Sequence, residues 1–187
     1  MFSITKDTTG QSGKMSKWVV EMNSTLRVQG KTNINTFICN NNEYAKKDTI
    51  SCISDPSKSL SFTGEIQLDI LSFNCHSKMI TKDFRKTLKY DEYPIITIKF
   101  ISLQYMPLLQ NEIKLINGLV EVQLASVVKR FELSYSFLQS GSTYLQLNGA
   151  HSFRFSDFKL TPPRKFGGLI RIKDDFDVNF QLILRTI

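Results

Sequence analysis

The sequence predicts an all-β protein: an antiparallel up-and-down β-barrel of about eight strands, with one short helix packed on its outside or end. Three observations point there. Apolar residues alternate with polar ones at period two through most of the chain, the pattern of strands with one buried and one wet face. The alternating runs are separated by turn-rich stretches such as "LQSGST", Leu138–Thr143, and "LTPPRKFGG", Leu160–Gly168. A single segment, Ser77–Lys89, has helical spacing instead.

The runs follow in order. Leu60, Phe62, Gly64, Ile66, Leu68 and Ile70 share one parity, against Ser61, Glu65, Gln67 and Asp69. Beyond them Leu71 and Phe73 fall on the outward parity, so something must cover them. The helical segment supplies a cover, because Phe84 and Leu88 lie at i, i+4 on one face with Met79 and Ile80 nearby. Pro94 then forces Tyr93 into extended backbone, and Ile96, Ile98 and Phe100 begin a new strand. Phe131, Leu133, Tyr135 and Phe137 form the next run, followed by Leu145, Leu147, Gly149, His151, Phe153 and Phe155. Val178, Phe180, Leu182 and Leu184 form the last. Long one-sided strands must bury their apolar faces together, and a closed barrel does so without leaving edges.

At 187 residues, with 41% hydrophobic and 11% aromatic content, the chain is sized for one packed domain and unlike a disordered one. We expect a polar leader over residues 1–17 and a single domain over 18–187. The leader lacks the apolar stretch of a signal peptide. The expected location is periplasmic or secreted if a signal was removed upstream, and cytoplasmic if the chain is full length. The net charge of +7 suits nucleic acid, an anionic membrane surface or solubility. No nucleic-acid motif accompanies the scattered lysines and arginines, so contact with an anionic membrane is retained as a partner and nucleic acid is not.

The chemistry-bearing residues are few. There is no Gly-x-Ser-x-Gly elbow, phosphate loop or His-Glu-x-x-His, so no catalytic residue, cofactor or metal is assigned. Cys75 and His76 are adjacent, and strand neighbours point to opposite faces, which works against a shared metal. Cys39 and Cys75 each end a run on the parity opposite its core, which allows a surface disulfide and would imply an exported protein. Three reduced cysteines remain the alternative, because pairing cannot be read from spacing. His151 shares parity with Leu147 and Phe153 and is expected to point inward as a polar contact for a ligand; the alternatives are a hydrogen-bonded core histidine or a bulge that turns it outward.

Four segments resemble the YceI-like family of lipocalin-like barrels, in the form seen in Bacteroidetes-type members. They are "STLRVQGKTNINTFIC", Ser24–Cys39; "LKYDEYPIITIKF", leading through Tyr93-Pro94 into an Ile-x-Phe strand; "INGLVEVQLASVVKRFELSYSF", Ile116–Phe137; and "FRFSDFKLTPPRKFGGLIRIKDDFDVNFQL", Phe153–Leu182. The resemblance runs over about residues 18–185 in the family's order. It implies binding of a polyisoprenoid or related lipid.

Together these readings set the functional expectation: a non-enzymatic carrier that holds an amphiphilic, isoprenoid- or fatty-acid-like lipid inside the barrel. The inward parities nominate Ile66, Leu68, Ile98, Phe100, Leu133, Tyr135, Leu147, Phe153, Phe155, Phe180 and Leu182 as cavity lining, with His151 as the polar contact. A tail-binding pocket should measure on the order of several hundred Å³. With 14 Phe to fill it, the alternative is a solidly packed barrel that acts as an envelope-stress or protein-interaction module without a lipid. The oligomeric state, monomer or homodimer, is left open.

Overall fold

The computed structural model describes residues 14–54, 61–104, 115–140 and 143–187. Its strands are β1 Lys14–Val20, β2 Thr25–Thr32, β3 Thr36–Asn41, β4 Thr49–Ser54, β5 Ser61–Asp69 and β6 Ile95–Leu103. The rest are β7 Leu115–Leu124, β8 Val127–Ser140, β9 Tyr144–Arg154, β10 Arg164–Lys165 and β11 Ile170–Thr186, with one helix, α1, at Lys78–Thr87. The start of the expected Leu60 run, most of the 1–17 leader and the tip of the Leu138–Thr143 turn lie outside the described residues. Lys14–Lys17 belong to β1, paired with Ser51–Ser54, so the barrel begins earlier than expected.

The strands pair antiparallel around a ring, and β11 closes it on β1 and β2. β1 and β2 are two halves of one long strand along β11, interrupted near Met22. Glu21 N donates to Ile183 O at 2.8 Å, and Ile183 N donates to Ser24 Oγ at 2.9 Å, so the interruption keeps its backbone hydrogen bonds. β3 and β4 form a second broken strand beside them. Counted this way the barrel has eight staves in sequence order. Among the described residues the outer edge of β3 is met only by the Asn40–Asn74 bridge, while β4 pairs with β5 to complete the ring.

The loops β2–β3, β5–β6, β7–β8 and β9–β11 gather at one end, and α1 lies in the second of them. This is called the helix end below. The Ser77 side chain caps α1 by accepting from Ile80 N, and Arg85 and Lys86 fall in the last turn, where the helix dipole favours cations. Phe84 and Leu88 are buried, as their i, i+4 spacing required.

One expectation about this region needs correcting. β5 stops at Asp69, whose side chain accepts from Leu71 N and starts a 3-10 turn over Ile70–Ser72. The turn breaks the two-residue parity. Leu71 is therefore left 43% exposed, whereas Phe73 swings inward to full burial and packs against Phe84 with ring centroids 5.4 Å apart. The helix caps the barrel end and does not cover an outward apolar pair. Arg85 fixes it there by donating to the carbonyl oxygens of Leu71 and Phe73.

Candidate functional site: a half-hollow barrel

The interior is divided into two halves. At the end away from the helix, Trp18, Val20, Ile50, Phe62, Ile116, Val120, Tyr135, Phe137, Leu145, Leu147 and Leu184 fill the barrel, each 7% exposed or less. At the helix end a cavity of about 90 Å³ remains. Its walls come from β2 (Leu26, Val28), β5 (Ile66, Leu68), β6 (Ile96, Ile98, Phe100), β7 (Val122, Leu124), β8 (Leu133), β9 (His151, Phe153) and β11 (Phe176, Val178, Phe180, Leu182). Its roof is Phe73, Phe84 and Leu88 with Phe155 and Phe158 from the 3-10 turn after β9.

Between the halves lies a floor of aromatic rings. Phe100 and Tyr135 have centroids 6.3 Å apart, Tyr135 and Phe180 5.9 Å, and Phe62 meets Phe100 edge-on at 5.2 Å. Such edge-to-face contacts hold ring positions beyond the gain from buried area alone. From Phe176 to Leu182 the chain rises roughly 20 Å, or about 15 Å along the barrel axis at a usual strand tilt. Ile98, Val178 and Phe180 point inward yet are only partly buried, because the surface they expose faces the cavity.

Of the nominated lining, Ile66, Leu68, Ile98, Phe100, Leu133, His151, Phe153, Phe155, Phe180 and Leu182 lie on the cavity wall. Tyr135 and Leu147 do not; they point inward but sit at floor level and below, in the packed half. The cavity is also smaller than the several hundred Å³ expected of a pocket for a whole tail, because the aromatic floor and the plug beneath it occupy half of the interior. Phe73, Phe84, Leu88 and Tyr44 are lining residues that strand parity alone did not nominate. For Phe84 and Leu88 the signal was the helical spacing; for Phe73 the 3-10 turn hid it.

Polar groups in the wall are mostly engaged with each other. Asn41 Nδ2 donates to Ser72 Oγ at 2.8 Å. The Tyr44 hydroxyl donates to Asp48 Oδ2 and accepts from Gln67 N. Burial first, and then the Asp48 carboxylate, raise the Tyr44 pKa, so this hydroxyl stays protonated.

His151 differs. Its ring meets Phe153 at 4.6 Å and Phe131 at 5.6 Å, both edge-on, and its nitrogens take part in no hydrogen bond among the described residues. Desolvation lowers its pKa, partly offset by the Asp157 carboxylate, so the imidazole is neutral at pH 7. Phe131, Phe153 and Phe158 surround that side of the wall, giving the imidazole an aromatic setting in which no acid or base among the described residues hydrogen-bonds to it. The arrangement can bury an apolar chain and offer it one neutral donor–acceptor group.

Cys39 and Cys75 are joined by a disulfide across 36 residues of sequence. The bridge is not on the surface: Cys39 is 0% and Cys75 4% exposed. Cys39 pairs in register with the core residue Val28, which places it on the inward parity. The bridge therefore staples the segment before α1 to β3, beside an Asn40–Asn74 bridge pair, and holds down the roof of the cavity. With its sulfur in that bond, Cys75 has no thiolate to offer a metal. Cys52 lies in the packed half, and burial pushes its thiol up to about 11.

No protein-family profile matches the sequence, and no curated protein matches it. Solved structures do match the fold. A polyisoprenoid binding domain from Saccharophagus degradans, implicated in plant cell wall breakdown, superposes with a TM-score of 0.66 at 11% identity, covering 93% of this chain and 100% of that one. BcnA from Burkholderia cenocepacia gives 0.64 at 15% identity over 86% and 95% of the two chains. The YceI protein of Campylobacter jejuni gives 0.53 at 16% identity over 75% and 81%. In fold, this chain is a YceI-like barrel.

Proposed function

We propose that this protein is a non-enzymatic member of the YceI-like family that sequesters or carries an amphiphilic lipid, holding the end of one slender apolar tail in the helix-end cavity. The observation that carries the reading is the division of the barrel: one half is packed solid, and the other keeps a cavity with an almost wholly apolar wall. A core that only had to be stable would close such a space, since each unfilled volume forfeits packing energy. Burying a tail there recovers that loss through the hydrophobic effect. The cavity of about 90 Å³ takes one end of a single unbranched or lightly branched, fatty-acid- or isoprenoid-like chain, with the rest of the chain and the headgroup outside it and His151 as the polar contact inside. The solved polyisoprenoid binding domain of the same fold supports a lipid as the ligand class.

The buried Cys39–Cys75 bridge supports maturation in an oxidising compartment, the periplasm or outside the cell. The packed lower half favours a second reading, a barrel whose interior is structural and whose surface binds proteins. Native mass spectrometry of protein purified from its own host, followed by solvent extraction, separates the two. A bound species released as a lipid with one apolar tail is the expected result. Protein at the apo mass, with no extractable lipid, would favour the structural barrel.

A further inference from the structure

The β2–β3 hairpin and the loop before β11 are tied into one projection at the helix end. Asn33 N donates to Arg171 O, Asn33 Nδ2 donates to Leu169 O, and Arg171 N donates back to Asn33 Oδ1 at 2.9 Å. Three large apolar side chains stand out from this projection: Ile34 at 70% exposed, Phe166 at 68% and Leu169 at 76%. Phe166 has a φ of 52°, and Gly167 and Gly168 follow with φ of 65° and 94°. A bulky residue in the left-handed region is strained, and strain persists where surrounding structure or function maintains it. Here the strained backbone presents a phenyl ring to solvent, where it gains nothing from packing.

The surroundings are cationic. Arg164, Arg171 and Lys173 are exposed and make no ion pair among the described residues. Lys165 reaches Asp83 of α1 at 2.7 Å and joins the helix to the projection. That contact brings the exposed stripe of Met79, Lys82 and Lys86, spaced around Asp83 at helical intervals, alongside the loop. Two of the acidic groups at this end are engaged, Asp83 in that ion pair and Asp174 accepting from Ser156 N and Oγ, while Asp91 and Glu92 are exposed in the turn after α1. Asp175 is exposed but lies in register with Arg154.

From these features we infer that the helix end is a docking surface for an anionic lipid bilayer. Phe166, Leu169 and Ile34 insert at the headgroup–acyl boundary, and the surrounding lysines and arginines face the lipid phosphates. Exposed apolar tips ringed by cations are the chemistry such a surface selects, since either component alone binds only weakly. A protein partner would not require the excess of unpaired cations beside the apolar tips. Docking in this way sets the roofed end of the barrel, where the cavity lies, against the membrane. The inference does not rest on the cavity holding a lipid.

The test is co-sedimentation of the full chain with phosphatidylcholine vesicles, with and without a phosphatidylglycerol fraction. Binding should require phosphatidylglycerol and weaken as salt rises. Phe166→Ser with Leu169→Ser should lower vesicle affinity by about tenfold or more. Arg164→Gln and Arg171→Gln should each lower it roughly fivefold. Phe166→Trp should show blue-shifted emission on adding anionic vesicles, above the constant signal of the buried Trp18. Circular dichroism and melting of each variant establish that these surface changes leave the fold intact. Failure to sediment with phosphatidylglycerol vesicles would overturn the inference, as would full binding by the double serine variant or an unshifted emission spectrum of the Phe166→Trp variant. Concentration-dependent self-association that the double variant abolishes, without vesicle binding, would assign the surface to a second copy of the chain and overturn it too. Tail occupancy is read separately by mass spectrometry, so the two readings fail independently.

Discussion

The Phe180 ring lies directly over Gly149: a β-carbon added to Gly149 would come within 2.1 Å of it. The two residues are register partners on β11 and β9, and Gly149 also pairs with Tyr135 on β8. The missing side chain lets Phe180 lie flat enough to reach Tyr135 and complete the cavity floor. Gly149→Ala should push the ring up into the empty space above it. The expected cost is about 1–3 kcal/mol in stability, at the low end because the cavity can take the displaced ring, together with loss of tail binding. Chemical denaturation and a fluorescent fatty-acid titration measure the two effects.

Leu133 and Leu147 are both inward-facing and almost fully buried, but they lie on opposite sides of the floor. Leu133→Trp should fill the cavity and abolish tail binding with little change in melting temperature. Leu147→Trp enters the packed half and should cost about 1–3 kcal/mol through overpacking. Equal destabilisation by the two changes would mean that the upper half is also solid.

The Cys39–Cys75 bridge closes a long loop and anchors the roof. Replacing both cysteines with serine should lower stability by about 2–4 kcal/mol. Peptide mapping without reductant should recover Cys39 linked to Cys75 from protein matured under oxidising conditions. A Cys39–Cys52 link would contradict the geometry.

His151 has its pKa lowered by desolvation, so the unfolded chain takes up a proton at a higher pH than the folded one. The stability associated with the neutral ring is therefore present above the unfolded value of about 6.5 and is lost as pH falls below it toward the folded pKa. His151→Gln should flatten stability between neutral and mildly acid pH. A bound tail should lower the His151 pKa further by removing water, readable as a shift of the imidazole NMR titration.

Strand parity made much of this barrel legible. The alternation at Phe131–Phe137 and Val178–Leu184 identifies the inward residues correctly, because a period-two pattern has only two faces to choose between. Parity does not say how far along the axis a side chain sits. Facing alone nominates Tyr135 and Leu147 for the cavity, and register with Gly149 and Phe137 places them at the floor and beneath it. Where backbone geometry changes, parity fails altogether. The 3-10 turn after Asp69 reverses the expected facing of Phe73, and the register of Cys39 with Val28 turns a surface cysteine into a core one. The Ile34–Phe166–Leu169 projection was illegible for a related reason, since no periodicity brings together loops so far apart in sequence.

The most direct test of a tail held in the helix-end half is methyl-resolved NMR with a carbon-13-labelled fatty acid. Cross-peaks from the labelled chain to the methyls of Leu68, Val122, Leu133 and Leu182 are the expected result, with none to Leu145, Leu147 or Leu184 below the aromatic floor. Cross-peaks only to residues on the outer surface, or none at all from a saturating ligand, would contradict it.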